Sequence, residues 1–264
     1  MHRAAFSALG LDWDYRPIEV AAGGLPRAWA ELRASLLGAN VTTPHKVAAA
    51  GLADRLTPEA RASGSVNTLV FAADGVVGAT TDGTGFIRAL TEAGLARPGR
   101  ALILGSGGAS RAVAQALLSV GCEVTIAARH LEQALKVGSS LAESAGAGVA
   151  AIPMEAEPIA DRLSECDLLV NATPLGSRFH LDVCALPPEV RLAPGLTVFD
   201  LVYSPRSTEL LRRAARAGCR TVGGLDMLVQ QAALSLEIWS GLPAPAGVMR
   251  EAAIRHLDRG VLVP

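Results

Sequence analysis

The sequence predicts an α/β protein built as two lobes. The first sign is the succession ALILG, SGGASRAVAQALLSVG, CEVTIAAR over 101–129, which reads as strand, helix and strand and implies a parallel sheet. The second is that the preceding residues mix short helical patterns with a hairpin rather than repeating that unit. The third is composition. Half of the 264 residues are hydrophobic, enough for sizeable cores, yet no run approaches the roughly 18 uninterrupted apolar residues of a spanning helix.

In chain order, 1–9 reads as the tail of a helix closed by Gly10, 13–20 (WDYRPIEV) as a strand, and 26–37 as a helix opened by Pro26. A short strand at 38–42 runs into a helix N-capped by Thr43 with Pro44 as its first residue, which puts Lys46 in the first turn. The run 65–81 predicts a hairpin turning at Asp74-Gly75, followed by a helix over 83–93. GLARPGR, 94–100, with two glycines and a proline, is the best linker. Further strands are predicted at 149–154, 167–173 and 196–202, and helices at 208–218, 226–241 and 247–257. The domains drawn from this are 1–96, 97–222 and a C-terminal helical segment, 223–264, that returns to the first.

The formal charge is −1, with 24 basic and 25 acidic residues, which argues against nucleic acid and against a membrane surface as partners. No basic stretch followed by an apolar one marks secretion at the start. Cys122, Cys166, Cys184 and Cys219 show no CxxC spacing, so neither a metal site nor a disulfide framework is expected. A cytoplasmic protein without metal is the expectation. Of the 24 basic residues only Lys46 and Lys136 are lysines. Arginine does not give up its proton in a protein and lysine can, so each lysine is worth inspecting.

Gly105-Ser106-Gly107-Gly108 lies where the apolar strand becomes a helix. Glycines there permit a tight turn and a close backbone approach to a pyrophosphate, which the helix N-terminus attracts. A glycine-rich turn in an unrelated α/β domain is the bland alternative. At the end of the second strand an NAD site would carry an acid for the ribose 2′-hydroxyl. The chain has Ala128-Arg129-His130 instead, and Arg129 suits a 2′-phosphate, so NADP is favoured over an ordinary surface arginine. Lys46 is a proton-transfer candidate or a solvated helix start. Asp82, between a strand and a helix, reads as an N-cap, and Asn67, inside an otherwise apolar strand, as a hydrogen-bonded edge residue. Gln231 shares a helical face with Met227, Leu234 and Ile238, so its amide must find a partner in protein or ligand. Tyr203 follows a strand at the end where open α/β sheets bind ligands.

Taken together, NVTTPHK (40–46), SVNT (65–68), TTDGTGF (80–86), GSGGASRA (105–112), NATPLG (171–176), DLVYSPRSTELL (200–211) and GGLDMLVQQAA (223–233) resemble the motifs of the shikimate dehydrogenase family, in order and over nearly the whole chain. The resemblance implies an N-terminal substrate-binding domain and a Rossmann-type, doubly wound dinucleotide-binding domain. It also implies NADP-dependent interconversion of 3-dehydroshikimate and shikimate on the route to chorismate and aromatic amino acids. It makes Lys46 and Asp82 the catalytic pair and gives Thr42, Asn67, Tyr203 and Gln231 to the substrate. Gly105, Ser106, Gly107, Gly108, Ala109, Ser110, Arg129, Asn171, Thr173, Leu201 and Gly224 go to the cofactor. Its partners are a small molecule and, because the family includes monomers and dimers, either no second chain or a second copy. The family opens with a strand and G-x-P-x-x-H-S-x-S-P-x-M-H-N, whose serines hold the substrate carboxylate. The numbered chain opens at the Met-His of that motif with Arg3 where Asn is usual; a start codon placed too late is favoured over residues omitted from the numbering and over a genuine truncation that would remove the strand and the carboxylate clamp. Thr80 stands where the family has Asn, and 128–130 keeps only the middle of N-R-T. The alternatives are a quinate/shikimate dehydrogenase using NAD, or a catalytically weak NADP-binding homologue.

Overall fold

The computed structural model describes residues 1–145, 148–181 and 183–258; the last six residues of the predicted C-terminal segment, 259–264, lie outside them. In chain order the elements are α1 (His2–Leu9), α2 (Leu25–Ser35), β1 (Gly38–Asn40), α3 (Lys46–Leu52), β2 (Arg55–Leu56), α4 (Pro58–Ser63), β3 (Thr68–Ala72), β4 (Gly75–Ala79), α5 (Asp82–Glu92), β5 (Arg100–Leu104) and α6 (Gly108–Ser119). Then follow β6 (Glu123–Ala128), α7 (Leu131–Ala145), β7 (Val149–Pro153), α8 (Ala156–Leu163), β8 (Leu168–Asn171), β9 (Thr197–Asp200), α9 (Glu209–Arg216), β10 (Arg220–Gly223), α10 (Gly224–Ser240) and α11 (Ala246–Asp258). They form two compact units, Met1–Gly85 with Val229–Pro264, and Phe86–Leu228. The division falls within α5, and 94–100 lies inside the second unit.

The first unit holds a four-stranded sheet in the order β1-β3-β4-β2. The β3–β4 hairpin is antiparallel with Ala72 opposite Gly75, so its turn is Ala73-Asp74, one residue earlier than the sequence suggested. Leu25, Ala49, Ala60, Val66, Leu69 and Val76 form its core, and Trp29 meets Phe71 edge-on at 6.2 Å. Two expectations fail here. No strand forms over 13–20: Trp13 packs on Phe6 and Tyr15 on His2, and Pro17 removes a ladder donor. Nor does Thr43 cap a helix. Thr43 and Pro44 form a turn closed by the His45 N–H on Thr42 O at 2.9 Å, and α3 starts only at Lys46.

The second unit holds six parallel strands in the order β10-β9-β8-β5-β6-β7. The sheet is covered on both faces, which explains the uninterrupted apolar strands. Ala101 and Ile103 of β5 join one cluster with Val113, Leu117, Val170 and Phe199. Leu102 and Leu104 join the other, with Ile159, Leu169, Val198 and Leu210. β10, α7 and α8 are elements that the sequence reading did not separate. Chain order reverses between β5 and β8, and this switch point opens a crevice at the strand ends. No helix among the described residues is long and apolar enough to cross a membrane.

Phe86 is fully buried and stacks on Phe199 with ring centroids 4.7 Å apart. Phe86→Ala is expected to destabilise the chain by about 3–5 kcal/mol, read from urea unfolding followed by circular dichroism.

Candidate active site

The first unit brings four of the predicted residues together. Lys46 is the first residue of α3, and its carbonyl accepts the Val66 N–H at 3.0 Å, which sets the start of α3 beside the segment entering β3. Asn67 follows Val66 and is held by its own N–H on Ala79 O at 3.1 Å. Asp82 begins α5 just past β4. The result is an ion pair with Lys46 Nζ 2.6 Å from Asp82 Oδ2, the side chains 17% and 6% exposed. The other carboxylate oxygen accepts Asn67 Nδ2 at 2.8 Å. Asn67 Nδ2 also reaches Gln231 Oε1 at 3.2 Å, so the amide that interrupts the apolar face of α10 lies in the same cluster. Thr42 is exposed on the segment leading to Lys46.

Thr81, which the sequence reading passed over, ties the cluster together. Its N–H donates to Asn67 Oδ1 at 2.9 Å and its hydroxyl to Gln231 O at 2.9 Å. Gly85 lets α10 come close: a Cβ there would lie 2.8 Å from Gln231 N and 3.0 Å from Gln231 Cα. Chemically this is a largely buried lysine, a group that can exchange a proton, paired with a buried carboxylate and flanked by two amides. Further in, the Tyr15 hydroxyl is pushed up to about 12 by burial, and burial lowers His2 to about 4.

In the second unit the glycine loop lies at the switch point. Gly105 follows β5 with φ 105°, and a Cβ on it would lie 2.9 Å from Thr173 Cγ2. Ser110 is buried and donates to Gly105 O at 2.6 Å, folding the loop back on α6. The α6 N-terminus at Gly107 has no side-chain cap and no acid in its first turn, so its N–H groups and positive dipole end stay available. Ser106, Gly108 and Ala109 complete this start. A glycine-rich cradle at an uncapped helix start fits a pyrophosphate. Arg129 is exposed immediately after β6 and has no ion-pair partner among the described residues, a position that fits a 2′-phosphate.

Asn171 is buried and spends its amide inside the protein. Nδ2 donates to Asp200 Oδ1 at 2.8 Å and Leu175 O at 3.2 Å, and Oδ1 accepts the Thr173 N–H at 3.0 Å and hydroxyl at 2.7 Å. It shapes the loop that carries Thr173. Leu201 N–H donates to Asn171 O at 3.0 Å and Gly224 N–H to Val202 O at 3.3 Å, so both belong to the same strand ends. Tyr203, 37% exposed, lies three residues past β9 in this unit. Asp200 was missed, although a carboxylate in the apolar run LTVFDLV was the available signal. Burial raises its carboxyl above the ordinary range, against hydrogen bonds from Thr208, Val202 and Asn171. No group of three or more histidine, cysteine or acidic residues able to hold a metal occurs among the described residues.

Strand order and loop give the second unit the architecture of a dinucleotide-binding domain, and the first unit brings a lysine and a buried carboxylate together. The class is that of two-unit, dinucleotide-dependent oxidoreductases. Comparison with known proteins narrows it. Residues 1–69 match the family description "Shikimate dehydrogenase substrate binding domain" and residues 224–254 "Shikimate 5'-dehydrogenase C-terminal domain". The chain is 41% identical over 263 residues to the shikimate dehydrogenase (NADP(+)) of Methanopyrus kandleri, covering 97% of this chain and 90% of that one. It superposes with a TM-score of 0.86 and 37% identity on the Thermus thermophilus shikimate 5-dehydrogenase solved with NADP(H) and shikimate, covering 96% and 92% of the two chains. A quinate dehydrogenase from Corynebacterium glutamicum, solved with NAD, gives a TM-score of 0.86 at 31% identity, with the same coverage. The chain belongs to the shikimate dehydrogenase family.

Gly85→Ala is expected to force α5 and α10 apart against backbone, costing about 1–3 kcal/mol in urea unfolding. A variant as stable as the parent would show that the close approach of Gly85 to Gln231 is not required.

Proposed function

We propose that this chain interconverts 3-dehydroshikimate and shikimate with NADP(H), a step of aromatic amino acid biosynthesis. The observation that carries the reading is the Lys46–Asp82 pair, 2.6 Å apart, with Asn67 and Gln231 within hydrogen-bond reach of one another beside it. In reduction the Lys46 ammonium gives a proton to the oxygen of the carbonyl that receives the hydride; in oxidation the neutral amine takes the hydroxyl proton and becomes the ammonium. Asp82 holds the ammonium in place and keeps its own position through Asn67. Asn67, Gln231 and the hydroxyl of Thr42 are suited to the remaining hydroxyls of a polyhydroxylated ring, since amides and hydroxyls both donate and accept.

NADP(H), when bound, supplies the acceptor or donor of the hydride. Gly105, Ser106, Gly107, Gly108, Ala109 and Ser110 would hold its pyrophosphate at the start of α6, and Arg129 its 2′-phosphate. The likeness to an NAD-bound quinate dehydrogenase makes quinate with NAD the rival reading. Against it, no acid follows β6 before Glu132. A cytoplasmic setting goes with the proposal, and the four free thiols accord with a reducing compartment.

Rates with shikimate and quinate, each with NADP and NAD, test the reading. Shikimate with NADP should be the best pair, and Lys46→Ala should lower its kcat by about 10²- to 10⁴-fold. An unchanged rate in that variant would remove Lys46 from the chemistry. Arg129→Ala should raise the KM for NADP by about ten- to a hundredfold while leaving that for NAD nearly unchanged, the loss of charge-assisted bonds of about 1.5–3 kcal/mol. An equal effect on both dinucleotides would contradict the assignment.

A further inference from the structure

Behind the catalytic pair, the first unit holds a line of polar groups from four separate places in the chain. Tyr15 OH donates to Asn40 Oδ1 at 2.9 Å, and Asn40 Nδ2 donates to Ser235 Oγ at 2.9 Å. Ser235 Oγ lies 2.8 Å from Thr68 Oγ1, which donates to Asn67 Oδ1 at 2.9 Å. Thr68 and Ser235 are fully buried.

Counting protons fixes the orientation of both amides. The backbone carbonyl of Asn67 can only accept, and it takes Asn40 Nδ2 at 3.2 Å, so the Asn40 amide has one orientation. The Asn67 amide is fixed likewise, because the Thr81 N–H can only donate to Oδ1 and the Asp82 carboxylate faces Nδ2. Thr68 has one hydroxyl proton; where it goes to Asn67 Oδ1, the 2.8 Å link to Ser235 is made by the Ser235 proton. In that arrangement the line donates head to tail, from Tyr15 through Asn40, Ser235, Thr68 and Asn67 to Asp82. Hydrogen bonds aligned in this way polarise one another in a low-dielectric interior. Ser235 has a competing acceptor in Gln231 O at 3.0 Å, which ties the same hydroxyl to the turn of α10 that bears Gln231.

We propose that Thr68 and Ser235 are positioning residues for the reaction: donating in line, they hold the Asn67 amide on Asp82 and, through it, the carboxylate that orients Lys46. This rests on the functional reading above. Losing the Thr68 hydroxyl leaves Asn67 Oδ1 its bond from the Thr81 N–H, so the fold is retained while the amide gains freedom. A looser carboxylate misplaces the lysine, and catalysis is far more sensitive to small misplacements than folding is.

The test is steady-state oxidation of shikimate by NADP in the parent chain, Thr68→Val, Thr68→Ser and Ser235→Ala, with the unfolding midpoint of each. Thr68→Val, close in shape but lacking the hydroxyl, should lower kcat by about 10- to 100-fold with the KM for NADP unchanged. Thr68→Ser should restore kcat to within about threefold, and Ser235→Ala should lower it by a smaller factor. Equal kcat in Thr68→Val and Thr68→Ser, or a loss accounted for by the unfolded fraction at the assay temperature, overturns the proposal alone. A parent chain that does not turn over shikimate overturns the functional reading and this proposal with it.

Discussion

Asp82 sits with its side chain 6% exposed, and a carboxylate so far from water costs several kcal/mol unless charge and donors replace the solvent. Lys46 Nζ at 2.6 Å supplies the charge and Asn67 Nδ2 at 2.8 Å the donor. The three groups come from the starts of α3, β3 and α5, so satisfying one carboxylate fixes where three elements begin. Removing one partner leaves a buried charge uncompensated, which is why the cluster stands or falls as a unit. The same requirement places chemistry. The lysine is the one member with a solvent-facing share, 17% of its side chain, and it is the one able to pass a proton on.

The second unit obeys a different constraint. Both faces of its parallel sheet are covered, so the strand ends are what remains for a ligand. At the switch point the backbone must come close to a neighbouring loop, and Gly105 meets Thr173 at a distance no side chain would allow. Asp200 accepts from Thr208 at 2.6 Å and from Asn171 at 2.8 Å, pinning the ends of β8 and β9 behind that opening. Its cost in burial is offset by hydrogen bonds from Asn171, the Val202 N–H and Thr208.

Much of this was legible in the sequence where the deciding contacts are local. The strand, glycine loop and helix over 101–121 are an apolar run, a turn and an amphipathic pattern, each decided within a few residues. Arg129 could be placed because β6 ends one residue before it. The motifs around Lys46, Asn67, Asp82 and Gln231 pointed to a common site, although no periodicity predicts that Asn67 and Gln231, 164 residues apart, share a hydrogen bond. Reading failed where partners decide. WDYRPIEV has strand composition, but its aromatic side chains pack on α1 and no neighbour completes a ladder. Thr43 has the chemistry of an N-cap, but the chain turns at Pro44 and delays the helix to Lys46. Ser235 carried no signal, and Thr68 none for this pairing beyond its place in SVNT, since a serine and a threonine 167 residues apart look like any others until folded.

The central claim is that the Lys46–Asp82–Asn67 cluster is where the substrate's reacting hydroxyl binds. A crystal structure of this chain with shikimate tests it most directly. The account predicts a ring hydroxyl within hydrogen-bond reach of both Lys46 Nζ and the Asp82 carboxylate, with Asn67 and Gln231 on neighbouring hydroxyls. Shikimate bound with its hydroxyls away from Lys46 and Asp82, or seated elsewhere on the chain while the pair stays closed, would contradict it.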